Sequence, residues 1–329
     1  MRTKYIKGIK NVEIKIEATG YGVVNWNGST PLKGVKGKDV SNHSLPKLRG
    51  FYNKTGEVNA AGTFEFKFAP TDIDFKKTPM YIGFNCIRFH LFRDNSYDSH
   101  FIKGNILPFL ASLSGLVRGY MVPDSSNKRA SCLLIEDFIE TTGNGNFEQF
   151  THAGTKEKKL NKKGTKEVSN ALFSKTTFGD TAYVSYGSIN LEQLQFISLD
   201  HKFDRSCMDV ADNEVENVRL TIENSIKALN DNPDLNPVAT FHKNYVRNGT
   251  VYEQGENGIL LNDDAMEIII NEIIDDIKTL SFRQAKGYVN VNSVTVDYND
   301  SHKIMRIKHD EGSINEHPSS DFATYFYQK

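Results

Sequence analysis

Residues 264–280 carry an apolar stripe of Met266, Ile270, Ile273, Ile277 and Leu280, spaced four, three, four and three apart. That spacing keeps the large side chains on one face of a helix and leaves the other face polar. Such a helix needs an apolar partner surface. A second helix, from about Asn213 to Leu229, needs one too, with Val215, Val218, Ile222, Ile226 and Leu229 on one face. Strands can supply that surface. Val12, Ile14 and Ile16 alternate with Glu13, Lys15 and Glu17, the period of a half-buried strand. Gly20 and Gly22 interrupt it before Val23-Val24-Asn25-Trp26, which predicts a bulge or a hairpin closing near Asn27-Gly28.

Further strands are expected at Phe64–Phe68, Tyr81–Phe92, Ser131–Ile139 and Tyr183–Leu199, with a closing pair from Tyr288–Tyr298 and Lys303–Lys308. Asn105–Met121 reads as a helix with Pro108 in its first turn, and Asp264-x-x-Glu267 reads as a capping box. Residues 30–63, 143–180 and 230–260 show no sustained period and read as irregular. Strands and helices do not alternate as in a doubly wound fold. The expectation is one α+β domain over 1–329, an antiparallel sheet with helices on one face and large inserted loops.

Forty Lys and Arg against 41 Asp and Glu give a net charge near −1, but the charge is unevenly placed. Between residues 31 and 54, Lys33, Lys36, Lys38, Lys47, Arg49 and Lys54 face only Asp39. Between 155 and 166, Lys156, Lys158, Lys159, Lys162, Lys163 and Lys166 face only Glu157. Two cation-rich insertions on a neutral chain point to a polyanion. No apolar run is long enough to span a membrane. The opening residues have no apolar signal core, and Cys86, Cys132 and Cys207 form no C-x-x-C pair, so a reducing cytoplasm is expected.

Metal and nucleotide motifs are missing. The histidines form no H-x-x-x-H or H-E-x-x-H, His201-x-x-Asp204 reads as a turn, and there is no G-x-x-x-x-G-K-[ST] or G-x-S-x-G. No metal, cofactor or catalytic residue is expected. Single-stranded RNA needs cations along its phosphates and aromatics against its bases. The first basic stretch offers both, in Lys36, Lys38, His43, Lys47, Arg49, Phe51 and Tyr52, among glycines that permit close approach. Arg49-Gly50-Phe51 and Lys286-Gly287-Tyr288-Val289 each resemble the start of an RRM ribonucleoprotein motif without completing it. Arg118 ends an apolar helical run, Gly115-Leu116-Val117-Arg118-Gly119, where it meets phosphate, snorkels, or answers the helix dipole.

Lys103-Gly104-Asn105-Ile106-Leu107-Pro108 through Gly115–Gly119 resembles the small-residue helix and G-L-x-R-type signature of the RAMP superfamily of CRISPR proteins. Lys128–Asp137 is similar to the family strand that follows. Within the superfamily the chain resembles the backbone subunits of Cascade-like surveillance complexes, nearest the minimal type I-F variant, with the type IV backbone protein almost as good a match. The resemblance implies an RRM-like palm with inserted fingers, web and thumb, and copies stacked along one CRISPR RNA. It implies RNA held by its backbone and presented for pairing with target DNA, beside neighbouring copies and other complex subunits.

On this chain, residues about 31–60 would be the thumb and 143–180 a second basic insertion, while Lys103, Arg118, Arg129 and Arg205 would line the palm. Some relatives cut RNA with a palm-loop aspartate, but nothing marks Asp39 or Asp124 as one. Two other classes stay open. A repeat-RNA endoribonuclease of the same superfamily would recruit His43 or His201, and a self-assembling phage structural protein would need no RNA.

Overall fold

The alternating segment forms the strand Asn11–Val23, at the heart of a seven-stranded sheet. It pairs antiparallel with Lys286–Asn299 on one side and Asp180–Asn190 on the other. Outside these lie Ser281–Gln284 at one edge and Phe138–Glu140 then Tyr81–Ile82 at the other, while Leu133–Ile135 pairs separately with Asp180–Asn190. The computed structural model describes residues 6–33, 39–49, 56–58, 64–66, 73–102, 104–160, 166–301, 303–308 and 313–329, with backbone only for those in 27–45, 56–66 and 147–176.

Val12, Ile14, Ile16 and Ala18 project into the core. Against this face the helix Asp263–Lys278 lays its stripe, including the fully buried Met266, Ile273 and Ile277. Burial of each such side chain contributes roughly 1.5–3 kcal/mol. Helix Val215–Ala228 packs on this helix and on Ala239–Arg247. That strand belongs to a four-stranded sheet with Phe196–Ser198, Gly255–Leu261 and Phe326–Gln328. The opposite face of the central sheet is covered only in part. Asp297 is buried beneath the C-terminal segment, where Lys308 pairs with it and the Asn315 backbone N–H donates to it at 2.9 Å. Glu13 accepts from Ser188 at 2.8 Å, and burial raises its carboxyl pKa. Beyond Lys15 the same face is open, and Glu17, Thr19 and Tyr21 are exposed.

The α+β class and the two long helices agree with the expectation; several elements do not. Tyr81–Phe92 is a two-residue strand followed by the helix Phe84–Leu91. Its aromatic content suggested a strand, but Phe84, Ile87 and Leu91 are spaced three and four apart, as on a helix face. Asn105–Met121 divides into the helix Leu107–Ala111, a π-turn at Ser114–Arg118 and the strand Tyr120–Met121. Ser131–Ile139 is likewise two short strands. No hairpin closes at Asn27-Gly28, because a bend at Val24–Asn25 leads into a new strand, Trp26–Lys33; the bulge lies at Glu17/Ala18 instead. Gly22, at φ +73°, sits so close to its neighbour that a Cβ would meet the Lys286 carbonyl at 2.3 Å.

Residues 239–261 are a strand pair rather than loop. Lys303–Lys308 is no strand but holds a 3-10 turn at Met305–Ile307. The cap of helix 263–278 is Asn262, whose side chain accepts from Ala265 N at 3.0 Å, in place of the expected Asp264 box.

The largest difference concerns the basic insertions. Residues 143–180 contain two long strands, Phe147–Leu160 and Lys166–Thr177, paired antiparallel. The first also pairs with Asp39–Pro46, which pairs with Trp26–Lys33. Both cation-rich stretches therefore enter one six-stranded sheet, completed by Phe64–Phe66 and Gly56–Val58.

On helix 263–278, Asp276 is half-buried, and burial followed by the charges of Glu272, Asp94 and Asp275 raises its pKa to about 6. Its folded pKa lies above its ordinary value, so its stabilising share is complete below about pH 4 and is lost as pH rises through about 6. Asp276→Asn should raise the melting temperature at pH 7.5 and leave it nearly unchanged at pH 4, as measured by thermal denaturation at both.

Candidate nucleic-acid interface

Chain leaving the six-stranded sheet returns along the edge of the central sheet. Lys47 N donates to the Asn25 carbonyl at 3.0 Å and Tyr81 N to the Lys47 carbonyl at 2.9 Å. These bonds bring Lys47 to the start of helix 84–91. Its Nζ lies 6.0 Å from the Tyr81 ring centroid and 3.6 Å from where a Gly83 Cβ would stand. Gly83 is the N-cap, has no capping side chain, and no acid lies in the first turn. The Gly83 N–H donates to Asn25 Oδ1 at 3.0 Å and the Phe84 N–H to Asp137 Oδ1 at 2.8 Å. Arg49 stands at 3.9 Å from Asp137, an exposed and therefore weak pair.

One turn along the helix, Arg88 donates to the Arg118 carbonyl at 2.7 Å and to Ser131 Oγ at 3.2 Å. Burial, and then the Arg118 charge beside it, lowers the pKa of Arg88. Its buried Nε has no acceptor. Among the described residues no carboxylate pairs with Lys47, Arg88 or Arg118. The like charges of Arg88 and Arg118, held together with Lys47 at the start of the same helix, suit an anion with several acceptor oxygens. Phe84 and Phe89 of the same helix are each 43% exposed.

The expected site residues divide accordingly. Lys47, Arg49 and Arg118 border this cluster or its approach. Lys33 and His43 have their backbones in the strands Trp26–Lys33 and Asp39–Pro46, and Lys36, Lys38, Phe51 and Lys103 lie outside the described residues. Arg129 does not suit the palm role expected of it. It is 3% exposed, and its guanidinium donates to the carbonyls of Leu116, Phe196, Gln193 and Leu194 at 2.9–3.4 Å. Arg205 is bound to the buried Glu256 and lies over the Phe196, Phe203 and Phe326 rings. Arg88 and Phe84 are not among the expected site residues, because the aromatic content of their segment predicts a strand. Gly83 followed by Phe84, Ile87 and Leu91 was the available signal.

His201 pairs with Asp209 at 2.6 Å and Asp204 with Lys128 at 2.7 Å, so the two do not share a ligand. Among the described residues no group of three His, Cys, Asp or Glu side chains is placed for a metal, and no helix is long and apolar enough to cross a membrane. No curated protein matches the chain. A family does match, over residues 8–329. That span covers the central sheet, the six-stranded sheet of insertions and the cation cluster, and the chain belongs to the family described as Type I-Fv CRISPR-associated protein Cas7fv-like, backbone subunits of type I-F-like complexes.

Proposed function

We propose that the chain is a non-catalytic, RNA-binding backbone subunit that assembles along CRISPR RNA and presents it for pairing with target DNA. In this reading residues 1–329 form one RRM-like palm in the cytoplasm, with the insertion at about 31–60 as thumb and that at 143–180 as a second arm. Neighbouring copies and other complex subunits complete the particle. The observation that supports it most is the Arg88–Arg118 pair, with Lys47 at the start of the same helix, whose charges no carboxylate of the described residues answers. Such a cluster grips phosphate and reads no sequence, which suits a subunit whose guide supplies the specificity.

The chain should purify with RNA when a CRISPR array is co-expressed, with a nucleic-acid absorbance ratio and an assembly that ribonuclease dismantles. Particles that form unchanged without nucleic acid would support the structural-protein reading. Metal-independent cleavage of repeat RNA by the purified chain would support the endoribonuclease reading.

A further inference from the structure

At the open end of the central sheet four side chains form a row across four strands: Arg283, Tyr288, Tyr21 and Asp180. Each is the direct register partner of the next, so all four emerge on one face. All four are exposed. Their neighbours Phe282 and Val289 point the other way, into the core, where Phe282 stacks on His90 of helix 84–91 at 4.0 Å. The row is therefore on the opposite face of the sheet from that helix, and beyond the reach of the C-terminal segment over Glu13 and Asp297.

The Tyr21 and Tyr288 rings stack with centroids 6.2 Å apart and planes 20° apart. The Tyr21 hydroxyl donates to the Phe178 carbonyl at 3.4 Å, which holds one ring in place. Beside them Thr19 donates to Asn292 at 2.7 Å, so the adjoining surface is polar. Among the described residues Arg283 has no ion pair and the Asp180 carboxylate has no hydrogen-bond donor. The row thus reads cation, two aromatics, carboxylate, with both charged ends unpaired among the described residues. Lys286, next to Tyr288 on the same face, adds positive charge at the Arg283 end.

We propose that this row seats one unpaired nucleobase of a single strand. The base stacks on the tyrosine pair, its phosphate meets Arg283, and an amino group on its edge donates to Asp180. Stacking alone tolerates any base, but a carboxylate also accepts from the exocyclic amino groups of cytosine, adenine and guanine. Uracil has no amino group, and its one ring N–H lies between two carbonyl oxygens that repel a carboxylate, so it should be seated less well. The choice of ligand rests on the RNA-binding reading, while the seat is separate from the Lys47–Arg118 cluster. This also gives a place to the Lys286-Gly287-Tyr288-Val289 motif, which the proposed phosphate grip leaves unused.

The test is binding of labelled oligocytidine and oligouridine of equal length to the full chain and its variants. Tyr21→Ala and Tyr288→Ala should each weaken oligocytidine binding by roughly 5–150-fold, Tyr288→Trp should retain it, and Asp180→Asn should abolish the preference for cytidine over uridine. Arg118→Ala is measured alongside. If Arg118→Ala weakens binding and both tyrosine variants, still folded by circular dichroism, bind as the parent does, the seat is refuted and the phosphate grip stands. If none of the three weakens binding, both readings fall. Tyrosine variants that bind RNA normally but lose self-association would show this face to be a protein interface and overturn the proposal.

Discussion

Arg129→Met should cost the chain about 3 kcal/mol or more of stability, because four carbonyls, three of them in buried bonds, lose the guanidinium at once and each unsatisfied acceptor costs roughly 1–3 kcal/mol. Methionine fills much of the volume but donates nothing. The guanidinium ties the π-turn carbonyl of Leu116 to the Gln193–Phe196 segment, so its loss should loosen the junction between the central and four-stranded sheets. A typical domain has about 5–15 kcal/mol in total, so the denaturant midpoint should fall steeply, and Arg129→Lys should recover little because one ammonium cannot fan out to four acceptors. A variant that kept its midpoint and lost RNA affinity would return Arg129 to the phosphate role.

The double variant Lys47→Ala/Arg118→Ala should bind RNA about a hundredfold more weakly, if each lost charge-assisted contact is worth about 1.5 kcal/mol or more. The loss should be equal for unrelated sequences, since phosphate carries no sequence information. For single strands the salt slope should become shallower by about 0.7 for each contact removed, so by about 1.4 for the pair. Stability should change little: Arg118 at a helical C-terminus contributes about 0.3–1 kcal/mol through the dipole, and among the described residues the Lys47 side chain makes a long cation–π approach to Tyr81. An unchanged salt slope with a lowered melting temperature would assign both residues to packing.

The long amphipathic helices and the strand at 11–23 were legible because hydrophobic period alone determines them. Met266 through Ile277 on one face, or Val12 through Ile16 on alternate sides, admits little else. The strands at 147–177 were not legible, since their polar and charged residues leave no alternation to read, and edge-rich sheets of this kind are held by backbone pairing. Helix 84–91 was obscured by aromatic residues that favour strands in isolation; tertiary packing of Ile87 overrides that preference. At the site, Arg118 stood out because a charge ends an apolar run. Arg129 and Arg205 were expected at the site only through the family resemblance, and sequence offers no means of telling a guanidinium that faces solvent from one that faces four carbonyls or a buried carboxylate. Arg88 was missed together with its helix. The row Arg283–Tyr288–Tyr21–Asp180 depends wholly on register across strands far apart in the chain, which no local pattern encodes.

The central claim is assembly of identical copies along RNA. Its most direct test is the mass of the complexes formed on single-stranded RNAs of increasing length, by native mass spectrometry or sedimentation. The expected result is a staircase, with one further copy for each fixed increment of RNA and no particle in its absence. A single copy whatever the RNA length, or the same particle with and without RNA, would contradict it.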